Sequence, residues 1–183
     1  MIGKEIKEGF ALEVVSVRLV RDAPILSETK IQTSEDVIRL VGEQLCGMDR
    51  EVVCVINLKA DNTPINCHFA SVGALDYSMA HPRELLKAGI LSNAAGMILC
   101  HNHTSGNLLP SEVDVKLTDR MQQLCGLVGI PLLDHVIVGG DNSRYFSFHE
   151  KGLVKNPQRE YQTDYRKLEW DSRMEVAERG GRR

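Results

Sequence analysis

Apolar residues recur along the chain with two different periods, and together these predict a mixed α/β domain. Short segments rich in branched apolar residues, typical of strands, stand at 11–20, 51–59, 65–72, 96–100, 131–138 and 145–148. Between them, apolar residues at spacings of three and four predict helices that begin near Ser34, Pro82 and Ser111. The pattern favours a mixed sheet flanked by helices, an α/β sandwich.

Several of these segments carry a more specific expectation. In 11–20, branched apolar residues alternate roughly with charges, which predicts an edge strand with one solvated face. Segment 96–100, GMILC, is apolar throughout and predicts a buried central strand that leads directly into HNHTSG. Residues 60–64, ADNTP, have the turn chemistry of a β-hairpin between the strands on either side.

The helix that begins at Ser111 is expected to turn one apolar face toward the core and to end near a glycine. The residues expected on that face are Val113, Leu117, Met121, Leu124 and Cys125. Gly126 or Gly129 is expected near its end, since glycine commonly terminates helices.

The domain is expected to span residues 1–155 and to be followed by a charged tail at 156–183. The tail is almost free of aliphatic residues and carries charges of both signs, so it is a poor core builder. Three alternatives stay open for it: packing on the domain, packing on a second copy of the chain in a homodimer, or disorder. The residues that could anchor it are Tyr161, Tyr165, Leu168 and Trp170.

Composition narrows the class of protein. The formal net charge of -3 and a pI near 6.1 do not indicate nucleic acid as a partner, because duplex binding usually needs a basic face. The five cysteines form no C-x-x-C pair, and most of them are expected to be buried thiols. No apolar run has membrane-spanning length, so no membrane partner is expected, and we expect a cytoplasmic protein.

The segment from 101 to 114, HNHTSGNLLPSEVD, carries the candidate chemistry. His101 and His103 are separated by one residue at the end of an extended segment, so both imidazoles point to the same side and can reach one ion. Ser111 is placed as a helix N-cap with Asp114 at the third helical position. Two nitrogens and one oxygen leave the fourth tetrahedral position open, which is typical of catalytic Zn²⁺.

This pattern resembles a known signature. His-x-His, seven residues, then Ser-x-x-Asp is similar to the motif of the JAMM (MPN+) metalloproteases. The surrounding text HPRELLKAGILSNAAGMILCHNHTSG, PSEVDVKLT and LLDHVIVGG resembles the bacterial RadC-like JAB domain within that superfamily, over most of residues 14–154. The resemblance implies a JAB/MPN fold, a cytidine-deaminase-like sandwich. Relatives usually have proline where Thr104 stands, a difference that bears on loop stiffness.

The resemblance also implies a reaction, namely zinc-dependent hydrolysis of a peptide, isopeptide or related amide bond. It assigns the general base to Glu51, with Glu43 and Glu84 as rivals, and it places the Ser111 hydroxyl where it can donate to the tetrahedral oxyanion. The simpler alternatives are a solvent-facing Glu51, a purely capping Ser111 and a merely capping Asp114. For His135, a buried histidine with satisfied hydrogen bonds is the preferred interpretation, and a role in supporting the metal ligands is the second. Cys100 is interpreted as a core residue.

Two other functions stay open. The first is a DNA-repair or DNA-processing factor of the RadC family, although HNH nucleases do not place their three signature residues consecutively. The second is a non-catalytic interaction module that keeps the fold of the superfamily.

Overall fold

A computed structural model describes residues 15–20, 22, 25, 27, 29–72, 80–140 and 142–155. The predicted tail at 156–183 and its four anchoring residues lie outside this part of the chain, as does the start of the predicted strand at 11–20. Within the described part, no helix is long and apolar enough to cross a membrane. The five cysteines are all described, and none forms a disulfide.

One mixed sheet of five strands forms the centre of the molecule, in the order β2-β1-β3-β4-β5. The predicted hairpin is confirmed as the antiparallel pair β1 and β2, and the buried segment GMILC lies in the central strand β3. Strands β3 and β4 are parallel, whereas the other neighbours are antiparallel. The strands are β1 (Val52–Leu58), β2 (Pro64–Val72), β3 (Gly96–His103), β4 (Leu132–Gly139) and β5 (Tyr145–Ser147).

The first helix covers one face of the sheet and consists of three joined segments: α1 (Ser34–Val37), a π-helical segment (Ile38–Gly42) and α2 (Glu43–Cys46). It begins, as predicted, with a capping box in which Thr33 and Asp36 exchange hydrogen bonds. Its apolar face packs on β3 and β4 in a core cluster that contains Cys100, as expected for that residue.

Two helices, α3 (Pro82–Leu91) and α4 (Glu112–Val128), cover the opposite face. Pro82 is the first residue of α3, and its missing backbone N–H is tolerated there because an N–H at this position has no partner within the helix. Helix α4 ends at Gly129, whose φ of 77° is the left-handed conformation that glycine adopts freely. The mixed sheet between two helical layers confirms the predicted fold class and is the arrangement of a JAB fold.

Buried Asp134 ties β4 to helix α1 and to strand β5. Its carboxylate accepts hydrogen bonds from the hydroxyls of Ser34 (2.8 Å) and Ser147 (2.7 Å). It also accepts from the backbone N–H groups of His135 (2.7 Å) and His149 (2.9 Å). A buried carboxylate is tolerated when donors satisfy it in this way, and the network fixes the strand that carries His135.

Two expectations were wrong. Residues 15–20 form no strand, and Val15, Val17 and Val20 are 77%, 71% and 86% exposed. Alternation is a local signal, but a strand is stable only when a neighbour pairs with it. Val113 is 47% exposed, because the buried face of α4 is centred on Met121 and Cys125, about 100° of helical rotation away.

Candidate metal centre

The two histidines of the motif lie at the carboxyl end of β3. Alternation along the strand turns His101 and His103 to the same face as Leu99, which is the face covered by α3 and α4. His101 is paired with Val53 on β1 and with Ile137 on β4, and it is only 3% exposed. The central position of β3 therefore makes His101 a rigid group with one ring edge toward the candidate site.

Asp114 projects toward these rings from the first turn of α4. Ser111 is the N-cap: its hydroxyl accepts from the N–H of Asp114 (3.2 Å) and donates to Asp114 Oδ2 (2.6 Å). The backbone N–H of Ser111 donates to the same oxygen at 2.7 Å. Oδ2 thus receives two hydrogen bonds that orient the carboxylate, while Oδ1 stays available to a ligand. The predicted capping box is confirmed.

The ligand atoms converge as the motif predicts. The Nε2 atoms of His101 and His103 are 3.0 Å apart, and Asp114 Oδ1 lies 3.2 Å from the first while Oδ2 lies 3.3 Å from the second. Four ligands at 2.0–2.1 Å from a tetrahedral Zn²⁺ are separated by about 3.3 Å. These three side chains therefore form a group that could hold one metal ion.

The protonation equilibria of the metal-free group reflect the same convergence. Burial lowers the pKa of His101 to about 4, so its ring is neutral. The hydrogen bond to Asp114 raises the pKa of His103. Burial opposes ionisation of Asp114, but the hydrogen bond to His103, the proximity of His101 and the donors of Ser111 hold its pKa well below the usual range.

The loop after β3 fixes the ring of His103. Nδ1 of His103 lies 2.6 Å from the backbone carbonyl of Asn107, which can only accept, so Nδ1 carries a hydrogen and Nε2 of the neutral ring offers its lone pair to the site. The N–H of Gly106 bonds to the carbonyl of His103 (3.0 Å), closing a turn with Thr104 at its second position. Proline is favoured at that position of a turn, so the threonine here leaves the loop less constrained than a proline would.

His135 and Thr118 stand behind His101. His135 Nε2 is 2.8 Å from His101 Nδ1, and His135 Nδ1 is 2.6 Å from the hydroxyl of Thr118. His135 is fully buried, as expected, but it also supports the candidate ligand, which the sequence interpretation had ranked second. Thr118 was missed, although it follows Asp114 by one helical turn and therefore faces the same way.

Glu51 lies at the mouth of the candidate site. It immediately precedes β1, and continuing the antiparallel register of β1 and β3 by two residues places it beside His103. Its side chain is exposed, and its charge contributes to the raised pKa of His103. Among the rivals, Glu84 is held by Lys87 at 2.6 Å and Glu43 is exposed at the start of α2.

Asn102, between the two histidines, was also missed. Its side chain points away from the rings and is 2% exposed. It hydrogen-bonds to the backbone of residues 50 and 52, on either side of Glu51. The asparagine in HNH could have indicated these contacts, because a polar side chain on a buried face of a strand needs hydrogen-bond partners.

Comparison with known proteins agrees with this architecture. A family model described as RadC-like JAB domain matches residues 31–153. A UPF0758 protein of Clostridium perfringens is 34% identical over 154 residues, which are 82% of this chain and 67% of that protein.

Two further relatives are similar over a shorter stretch. A UPF0758 protein of Clostridium acetobutylicum is 42% identical over 125 residues, or 68% of this chain and 54% of that protein. A UPF0758 protein of Desulforamulus reducens is 40% identical over 136 residues, which are 73% of this chain and 59% of that protein. The chain thus spans between about half and two thirds of these relatives. The matched residues include all of the candidate centre, and the chain belongs to the RadC-like JAB domain family.

Proposed function

We propose that this chain is a zinc-dependent hydrolase of the JAMM type that cleaves a peptide, isopeptide or related amide bond. The observation that carries the proposal is the set of distances among three ligand side chains, 3.0, 3.2 and 3.3 Å, at the end of the central strand. The 3.0 Å between the two Nε2 atoms and the 3.2 Å from His101 Nε2 to Asp114 Oδ1 suit a tetrahedral ion. The second ring nitrogens and Asp114 Oδ2 are already hydrogen-bonded to other groups. The centre is therefore oriented before any ion arrives.

The donor set favours zinc over harder cations. Two imidazole nitrogens and one carboxylate oxygen suit Zn²⁺, whereas Mg²⁺ and Ca²⁺ take oxygen ligands. Three protein ligands leave one position open, as in catalytic rather than structural sites. When bound, the zinc ion supplies a Lewis acid that lowers the pKa of a water molecule and polarises the scissile carbonyl.

Glu51 and Ser111 perform the remaining steps in this proposal. Glu51, exposed beside His103, accepts the proton of the attacking water and returns it to the leaving amine. Ser111 donates its hydroxyl to the oxyanion of the tetrahedral intermediate. The Ser111 proton points to Asp114 Oδ2 in the structure, so this role requires rotation about the Cβ–Oγ bond.

The net charge of the protein bears on the class of substrate. A chain of net charge -3 offers little to a phosphate backbone, so we propose a peptide or amide substrate rather than nucleic acid. Five thiols without a disulfide support a cytoplasmic location. DNA processing and a non-catalytic interaction module are the outcomes that a test must separate from hydrolysis.

The test compares hydrolysis by the wild type, His103→Ala and the control His149→Ala, whose side chain is exposed. Each zinc-loaded protein is incubated with peptide and isopeptide mixtures and with duplex and single-stranded DNA, with and without a chelator. We expect chelator-sensitive cleavage of amide bonds by the wild type and the control, and none by His103→Ala. Metal-dependent DNA cleavage would overturn the proposal, and so would zinc binding without hydrolysis of any mixture.

Glu51→Gln tests the base separately. The amide cannot accept a proton, so we expect turnover to fall by about 100-fold or more while zinc affinity stays near the wild-type value. Glu43→Gln and Glu84→Gln are matched controls and test the two rival bases. A large loss in either control, with Glu51→Gln active, would move the base to that residue.

A further inference from the structure

A single hydroxyl proton sets the direction of a chain of hydrogen bonds behind the candidate metal centre. The Oγ1 atom of Thr118 lies 2.6 Å from the backbone carbonyl of Asp114 and 2.6 Å from Nδ1 of His135. The carbonyl can only accept, so the hydroxyl proton points to Asp114. Oγ1 must therefore accept from His135, and Nδ1 of His135 carries a hydrogen.

The next bond follows from the first. His135 is fully buried, and its ring is hydrogen-bonded to the hydroxyl of Thr118 and the ring of His101, neither of which is an anion. A buried charge without a counter-charge is costly, so the ring is neutral and carries one hydrogen. With that hydrogen on Nδ1, its Nε2 is an acceptor. Nε2 lies 2.8 Å from Nδ1 of His101, which must then be the donor.

The last step reaches the site. A neutral His101 with its hydrogen on Nδ1 presents a lone pair at Nε2, the atom that faces His103 and Asp114. This chain of hydrogen bonds begins at the backbone carbonyl of Asp114 and ends at the ring of His101. It therefore joins two of the three ligand residues through His135 on β4.

We propose that Thr118 and His135 are positioning residues that fix the tautomer and ring orientation of His101, so that its Nε2 lone pair is directed into the metal centre. This inference rests on the metal centre proposed above, but not on hydrolysis. Residues that hold the second nitrogen of a ligating histidine typically contribute roughly 10- to 100-fold to metal affinity.

A purely structural role for these residues predicts a different result. His135 also stacks on Phe148, with ring centroids 4.9 Å apart and planes 10° from parallel, so some of its variants lose packing as well as a hydrogen bond. His135→Phe keeps an aromatic ring against Phe148 and removes both nitrogens. Thr118→Val keeps the shape of the side chain and removes the hydroxyl, whereas Thr118→Ser keeps the hydroxyl and is the matched control.

The experiment has two readouts, of which the first needs no metal. Nitrogen-15 NMR of the metal-free wild type identifies which ring nitrogen of His101 and His135 carries hydrogen, and we expect Nδ1 in both. The second readout is zinc affinity, measured by competition with a chromogenic chelator. We expect a roughly 10- to 100-fold loss in His135→Phe, a smaller loss in Thr118→Val and wild-type affinity in Thr118→Ser.

The outcomes separate this inference from the proposed function. Hydrogen on Nε2 of His101 in the wild type overturns the relay, and so does wild-type zinc affinity in both folded His135→Phe and Thr118→Val. Hydrogen on Nδ1 of both rings, with the expected losses of zinc affinity in the variants, in a wild type that binds zinc but hydrolyses no substrate supports this inference and overturns the proposed function. A wild type that binds no zinc overturns both. If His135→Phe does not fold, the Thr118 pair and the wild-type spectrum decide the question.

Discussion

The side-chain carbonyl of Asn102 accepts a hydrogen bond from the backbone N–H of Val52 at 2.7 Å, at the place where β1 begins beside β3. The amide of the same side chain donates to the backbone carbonyl of Arg50 at 3.0 Å. These two backbone groups flank Glu51. The strand that presents two candidate ligands on one face thus uses its other face to hold the backbone of the proposed base.

Replacing Asn102 by leucine should reduce turnover more than zinc affinity. The variant leaves the N–H of Val52 without its partner, at a cost of about 1–3 kcal/mol in the free energy of unfolding. It also frees the backbone around Glu51, while His101 and His103 keep their own supports. We expect hydrolysis to fall at least tenfold with zinc affinity within a few-fold of wild type.

Gln44→Leu is the control for this variant, because Gln44 is exposed on α2, which covers the face of the sheet opposite His101 and His103. Steady-state kinetics and chelator competition on both variants supply the measurement. Full wild-type turnover in a folded Asn102→Leu protein would show that the side chain does not position Glu51.

The sequence predicted the fold and the convergence of the three candidate ligand side chains because both depend on local signals. Alternation turned His101 and His103 to one face, and the pairing of an N-cap with its third helical residue placed Asp114 at the helix end. Apolar periodicity located every strand that pairs within the sheet. These signals are read over a few residues, and the structure keeps them.

Supporting contacts escaped prediction because they join residues that are distant in the chain. His135 meets His101 across the parallel pair β3 and β4, and Asn102 reaches the backbone around Glu51 across β1 and β3. Such contacts depend on the order of the strands, which periodicity does not determine. The error at 15–20 has the same origin, since alternation does not say whether a partner strand is present.

Gly139→Ala should weaken zinc binding through the loop after His103. A Cβ at Gly139 would lie 3.1 Å from backbone atoms of Gly106, closer than ordinary van der Waals contact. The loop must shift, and its Asn107 carbonyl holds the ring of His103. We expect a several-fold loss of zinc affinity and a free energy of unfolding lower by about 1–3 kcal/mol.

Gly126→Ala is the matched control, because a Cβ there meets nothing within 4 Å and the residue lies inside α4. Helix propensity predicts a gain in stability of roughly 0.5–1 kcal/mol with zinc affinity unchanged. Denaturant unfolding and chelator competition measure both variants. Wild-type affinity and stability in Gly139→Ala would contradict the proposed role of the loop.

Zinc affinity should rise with pH through the raised pKa of His103. In the metal-free protein the hydrogen bond to Asp114 favours protonated His103, and this proton must leave before Nε2 can bind an ion. His101, with a pKa of about 4, is already neutral above pH 5 and releases none. Affinity should therefore increase about tenfold per pH unit below the pKa of His103 and level off above it.

Isothermal titration at several pH values and in buffers of different ionisation enthalpy measures the number of protons released. Below the pKa of His103 we expect about one proton per zinc ion. Two protons per ion would show that a second group, either His101 or the zinc-bound water, also releases a proton in this range. A pH-independent affinity would show that His103 carries no competing proton.

The metal centre is tested most directly by dialysing the wild type, Asp114→Asn and Asp119→Asn against a zinc buffer and measuring the zinc content of each protein. Asp119 lies on the same helix and accepts a hydrogen bond from Gln123, away from the histidines, so Asp119→Asn is the control. The proposed metal centre predicts one zinc ion per chain in the wild type and in Asp119→Asn, and a large loss of zinc in Asp114→Asn. No zinc in the wild type, or equal zinc in all three proteins, would contradict it.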